Sequence, residues 1–121
     1  MTTRILLADD HRIMREGLAS LLAEEGDLEI VGQVDNGEQA IEQARKLRPD
    51  VIVMDISMPV MDGIEATRII KGESPGIRIV GLSMYEQADL TQDMLEAGAE
   101  VQLSKAGPSA ELLRAIRGSH S

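Results

Sequence analysis

Apolar and polar positions alternate in blocks along this chain. Ile5 to Ala8, Val51 to Met54 and Ile77 to Leu82 are short, mostly apolar runs, and Val101 to Ser104 is a more polar one. Runs of this length and β-branched content predict buried strands, and strands buried on both faces are the mark of a parallel sheet. Between them the apolar positions recur at helical spacing. The strands are expected at about Arg4–Ala8, Glu29–Val34, Val51–Met54, Ile77–Leu82 and Val101–Ser104. The helices are expected at about His11–Glu24, Glu38–Leu47, Ile64–Lys71, Glu86–Ala97 and from Pro108 to near Arg117. Their predicted inner faces carry Met14, Leu18, Leu21 and Leu22; then Ile41, Ala44 and Leu47; then Leu90 with Met94 or Leu95; then Leu112, Leu113 and Ile116. Gly26, Pro49 and the turn Ser74-Pro75-Gly76 punctuate the pattern, Asp35 and Asn36 can cap the second helix, and Gly98 suits a left-handed helix end.

Five strand–helix alternations predict an α/β fold, a parallel sheet with helices on both faces. Right-handed crossovers narrow the topology to a flavodoxin-like, doubly wound order 2-1-3-4-5. In such a sheet ligands bind at the carboxyl ends of the strands, at the switch point between strands one and three. Asp9-Asp10, Asp55, Ser83 and Lys105 each follow one of the runs. Three carboxylates, a hydroxyl and an ammonium therefore converge on one edge.

Composition restricts the functions open to such a site. The 121 residues suit one domain, and residues 118–121 resemble a linker start or a cloning scar. With no Phe or Trp and a single Tyr, the core is aliphatic, and seven Met are available to fill its gaps. A formal charge of −9 argues against direct binding of nucleic acid or of an anionic membrane. No Cys means no thiolate metal site and fits a cytoplasmic setting. No apolar stretch approaches the ~20 residues of a membrane span.

Taken singly, each candidate has an ordinary role: Asp9-Asp10 as a helix cap, Asp55 as a loop acid, Ser83 as a turn residue, Lys105 as a surface lysine. Together they suit a hard divalent cation and a phosphoryl group. Clustered carboxylates repel, and Mg²⁺ typically binds through one or two of them. A carboxylate can also attack phosphorus, with a lysine to offset the transferred charge. Three carboxylates, one lysine and one Mg²⁺ sum to about zero.

The chain resembles the receiver domain of two-component response regulators over about Thr3 to Arg117. The resemblance lies in LLADDH, in VIVMDISMPVMDG with Met58-Pro59 and Asp62-Gly63, in IVGLSMYE and in VQLSKAGPS. IMREGLASLL and LLRAIRG are most similar to receivers joined to LuxR-like helix-turn-helix domains, and similar receivers end hybrid sensor kinases. The resemblance implies that Asp55 takes a phosphoryl group from a histidine kinase. It implies Mg²⁺ held by Asp10, by Asp9 through water, by Asp55 and by the Ser57 carbonyl. It further implies that Lys105 pairs with the phosphoryl oxygens and that the Ser83 hydroxyl moves to bond one of them. That movement would reshape the face of helix four, strand five and helix five, controlling an output domain or a homodimer. The kinase is expected to dock near His11, Ile13, Met14, Met58 and Pro59, with His11 exposed and not a metal ligand.

Three features depart from the family pattern. Gln102 stands where an aromatic switch residue is usual, beside Val101. Ala106 follows the lysine in place of proline. Tyr85 is the chain's one aromatic ring, and with Ser57 it is expected to flank the phosphoryl group and limit water; Tyr85→Ala would then alter the lifetime of the phosphorylated form. A different class of function, an aspartate-nucleophile Mg²⁺ phosphatase, would usually place a general-acid Asp where Ser57 stands. A flavin or nucleotide carrier is disfavoured by the lack of a glycine-rich phosphate loop.

Overall fold

The structure, a computed structural model, describes residues 2–84 and 88–118. Strands β1 (Thr3–Ala8), β2 (Leu28–Val34), β3 (Val51–Asp55), β4 (Arg78–Ser83) and β5 (Val101–Ser104) alternate with helices α1 (Arg12–Ala23), α2 (Gly37–Leu47), α3 (Gly63–Glu73), α4 (Ala88–Ala97) and α5 (Ser109–Arg117). All strand pairings are parallel, in the order β2-β1-β3-β4-β5. This is the flavodoxin-like order expected from the hydrophobic pattern, with its switch point between β1 and β3.

Side chains alternate across the sheet and build two cores. Leu6, Ile52, Met54 and Ile79 pack with Ala40, Ile41 and Ala44 of α2, Ala66 and Ile70 of α3 and Met94 of α4. On the other face Ile5, Leu7, Val51, Val53 and Val80 meet Leu22 of α1 and Leu112, Ala115 and Ile116 of α5. Met94, not Leu95, is the inward residue of α4: Met94 is buried and Leu95 exposed. In α1 only Leu22 is fully buried. Leu18 packs partly buried against the same core, and Met14, Leu18 and Leu21 line a cavity shared with Leu82, Leu103 and Leu112.

Local chemistry sets the helix ends. The Asn36 side chain accepts from the Gln39 N–H, as expected for the cap of α2, and Asp62 caps α3 by accepting from the Glu65 N–H. Pro108 is the N-cap of α5, one residue outside its first turn. Glu86, the expected start of the fourth helix, lies outside the described residues. Arg78 donates to the Ala115 and Ile116 carbonyls and so satisfies the end of α5.

The loop from β3 to α3 contains a tight turn in which the Met61 N–H donates to the Pro59 carbonyl at 2.7 Å. Val60, at its centre, has φ +68° and is largely exposed. A β-branched residue is strained there by roughly 1–3 kcal/mol, against about 0.4–1 kcal/mol of added unfolded-state entropy for glycine. Val60→Gly is therefore expected to raise stability by about 0.5–1 kcal/mol in urea unfolding; a loss of stability would show the turn to be unstrained.

Candidate functional site

Strands β1, β3, β4 and β5 end at the carboxyl edge of the sheet. The Asp9 N–H continues the β1–β2 ladder by donating to the Val34 carbonyl, and the Lys105 N–H continues β5–β4 by donating to the Ser83 carbonyl. Asp55 is the last residue of β3, and Ser83 the last of β4. Asp9, Asp10, Asp55 and Lys105 are thereby brought together in one cluster, and Ser83 lines the cleft that contains Asp55. Asp9 and Asp55 are buried, 3% and 4% exposed, while Asp10 lies at the rim.

Lys105 links the cluster. Its side chain is only 1% exposed, with Nζ 2.8 Å from Asp9 Oδ2 and 3.2 Å from Asp55 Oδ2. The Asp9 contact is an ion pair without hydrogen-bond geometry, so this buried oxygen finds no hydrogen-bond donor among the described residues. Burial would raise the Asp9 pKa, but the Lys105 ammonium and the His11 N–H, which donates to Oδ1 at 2.9 Å, outweigh it and hold Asp9 below the ordinary carboxylate range. Asp55 goes the other way. Burial is the largest cause, the Asp9 charge adds to it, Lys105 only partly offsets it, and the pKa is pushed up to about 6.

Such a cluster favours a hard cation. Carboxylate oxygens of Asp9, Asp10 and Asp55 and a nitrogen of His11 lie within 4.8 Å of one another. Oxygen-rich donors of this kind suit Mg²⁺. Ser57 is exposed and lines both the cleft holding Asp55 and the neighbouring one holding Asp10. The cleft over Asp55, about 290 Å³, is also lined by His11, Ser83, Met84 and Leu90.

The sequence reading missed two contributors. His11 is half-exposed, as expected, but its ring turns into the cluster, with Nδ1 3.2 Å from Asp9 Oδ1, 3.4 Å from Asp10 Oδ1 and 3.8 Å from Asp55 Oδ2. Arg15, one turn into α1, donates to the Asp9 carbonyl at 2.7 Å and fixes the acid loop from behind. Ile13 is 87% exposed, at the head of α1. Gln102 is partly buried and donates from Nε2 to Ser83 Oγ at 3.1 Å. Tyr85 lies outside the described residues. No cis peptide bond occurs among the described residues, Ala106 included.

A family model described as the response regulator receiver domain matches residues 5–117. Response regulator GacA of Pseudomonas viridiflava is 40% identical over 114 residues, 94% of this chain and 53% of that protein. The transcriptional regulatory protein LnrK of Bacillus subtilis is 36% identical, over 98% of this chain and 54% of its own length. The chain spans about half the length of these curated relatives. Among solved structures, a LuxR-family two-component response regulator from Aurantimonas superimposes with a TM-score of 0.92 at 35% identity, covering 98% of this chain and 84% of that one. The response regulator domain of Thermotoga maritima CheB gives 0.87 at 32% identity, covering 99% and 97%. None of these relatives supports the phosphatase alternative. No helix among the described residues is long and apolar enough to cross a membrane.

Proposed function

The chain belongs to the response regulator receiver domain family, and from that premise we propose that residues 1–117 form a phosphoacceptor module whose nucleophile is Asp55. One observation carries the proposal: β1, β3 and β5 deliver Asp9, Asp10, Asp55 and Lys105 to a single site, with the Lys105 ammonium bridging two buried carboxylates. A carboxylate oxygen of Asp55 attacks the phosphorus of a kinase phosphohistidine. The P–N bond breaks, its electron pair stays on the imidazole, and an aspartyl-phosphate forms. Lys105, already beside Asp55, follows the new charge onto the phosphoryl oxygens. Asp9, Asp10, Asp55 and the Ser57 carbonyl would hold Mg²⁺, which when bound neutralises charge on the acids and on the incoming group.

The product is regulatory. A phosphoryl group adds about two charges and three acceptor oxygens beside Ser83. Capture of the Ser83 hydroxyl would move the loop that leads into α4 and change the surface of α4, β5 and α5. That surface addresses an output domain or a second copy of the chain, and the exposed head of α1 with Met58 and Pro59 addresses the kinase. The net charge of −9 argues against direct nucleic-acid binding by this domain. The setting is cytoplasmic.

Incubation with acetyl phosphate, with and without Mg²⁺, followed by intact mass measurement, tests the reading. The expected result is one added phosphoryl group, dependent on Mg²⁺ and absent in Asp55→Asn. Incorporation that survives Asp55→Asn would overturn it.

A further inference from the structure

A second polar arrangement lies one strand away from the acids. Gln102 in β5 is in register with Gly81 in β4, and Ser83 follows two residues on, so all three fall on the same face of the sheet. The Gln102 amide rests on the bare Gly81 backbone: a Cβ built on Gly81 would overlap Gln102 Oε1. From there Nε2 donates to Ser83 Oγ at 3.1 Å, while Oε1 is buried and finds no hydrogen-bond partner among the described residues. Ser83 is shared by two clefts. One, about 290 Å³, contains Asp55. The other, about 500 Å³, contains Gln102 together with Ala88, Thr91 and Gln92 of α4.

We propose that Gln102 is a positioning residue for the phosphoryl site, a latch that holds the Ser83 hydroxyl toward β5 until the phosphoryl group on Asp55 captures it. This rests on the reading of Asp55 as the phosphoacceptor. The sheet order gives the direction. Asp55 ends β3 and Gln102 lies in β5, on opposite sides of β4, so a hydroxyl drawn to Gln102 is drawn away from Asp55. The latch is weak by construction. The Gln102–Ser83 bond is a neutral one, and the orphaned Oε1 carries a desolvation penalty while the latch is closed. A charged phosphoryl oxygen is a stronger acceptor of the Ser83 proton than any neutral group. On release the amide has room beside Thr91 and Gln92, where both of its polar atoms can find partners. Activation at Asp55 would then reach α4 through an amide flip, with no aromatic ring required.

Beryllofluoride with Mg²⁺, a stable mimic of the phosphoryl group, is the probe, titrated by calorimetry into the full chain. Gln102→Met keeps the side-chain length and removes both polar atoms. It is expected to tighten beryllofluoride binding about two- to tenfold, the span of one neutral hydrogen bond. Gly81→Ala leaves Gln102 and Ser83 intact but fills the space of the amide, and it should act in the same direction. In a Ser83→Ala background Gln102→Met should change nothing, which separates a latch on Ser83 from a general packing effect. Unchanged or weaker binding in a folded Gln102→Met or Gly81→Ala protein would overturn the latch while leaving the Asp55 reading intact. Failure of the folded wild-type chain to bind beryllofluoride at all would overturn both.

Discussion

Gly63→Ala is expected to destabilise the fold by about 3 kcal/mol or more and to cut phosphoryl incorporation at Asp55 at least tenfold. Gly63 opens α3 and is buried, and its N–H donates to the Ile56 carbonyl at 2.8 Å, which pulls the start of the helix against the end of β3. A Cβ there would overlap the Asp55 carbonyl oxygen and stand 2.9 Å from the carbonyl carbon and 3.0 Å from Met54 Cγ. The main obstacle is backbone, not the far end of a flexible side chain, so it cannot rotate away. Either α3 shifts outward, breaking the Ile56 bond and the Asp62 cap, or the end of β3 moves and carries the nucleophile with it. Overpacking of a core typically costs 1–3 kcal/mol, and a rigid obstacle lies at the upper end or beyond. Urea unfolding gives the stability and the intact mass after acetyl phosphate gives the incorporation. A variant within 0.5 kcal/mol of wild type that phosphorylates normally would show that the contact is not the constraint it looks to be.

The same geometry explains which parts of the site could be read from the sequence. Asp9, Asp55 and Lys105 are legible because each directly follows a run that predicts a strand, and parallel strands all end at one edge. Asp55 and Ser83 prove to be the last residues of their strands, one position inside the predicted loops. The hydrophobic pattern predicts the start of α3 at Ile64, one residue after its observed start at Gly63, although Asp62 with Glu65 three positions on is a recognisable capping pattern. Contacts that depend on register or rotamer were not legible. That Gln102 faces Gly81 follows from the β4–β5 pairing, and a one-residue slip would have turned it to the opposite face. The His11 ring and the Arg15 contact to the Asp9 carbonyl depend on the angle at which α1 leaves β1. Nothing in DDHRIMR states that angle; it follows from how α1 packs against the sheet.

In the absence of metal, Asp55→Asn should be more stable than wild type at pH 7.5, by about 1–3 kcal/mol. The Asp55 pKa is raised from 3.8 to about 6, chiefly by burial. The folded chain thus holds this proton more tightly than the unfolded one. Stability falls as pH rises through the interval from 3.8 to about 6 and stays low above it, by roughly 1.4 kcal/mol for each pH unit of that interval. Asp9 has the opposite shift, so its contribution changes below 3.8, outside this window. Asparagine cannot ionise, and Lys105 keeps its 2.8 Å contact with Asp9 in the variant. Urea unfolding of both proteins in a chelator at pH 7.5 and pH 4.5 should therefore show a gap that closes on acidification. Adding Mg²⁺ at pH 7.5 should stabilise wild type and narrow the gap from the other side, because a cation that binds only the folded state shifts the equilibrium by mass action. A variant less stable than wild type at pH 7.5, or a gap independent of pH, would mean that the buried carboxylate is already well compensated. The expected deficit has a chemical meaning: a desolvated carboxylate, short of partners, is stabilised by whatever brings it positive charge or forms a bond to its oxygen.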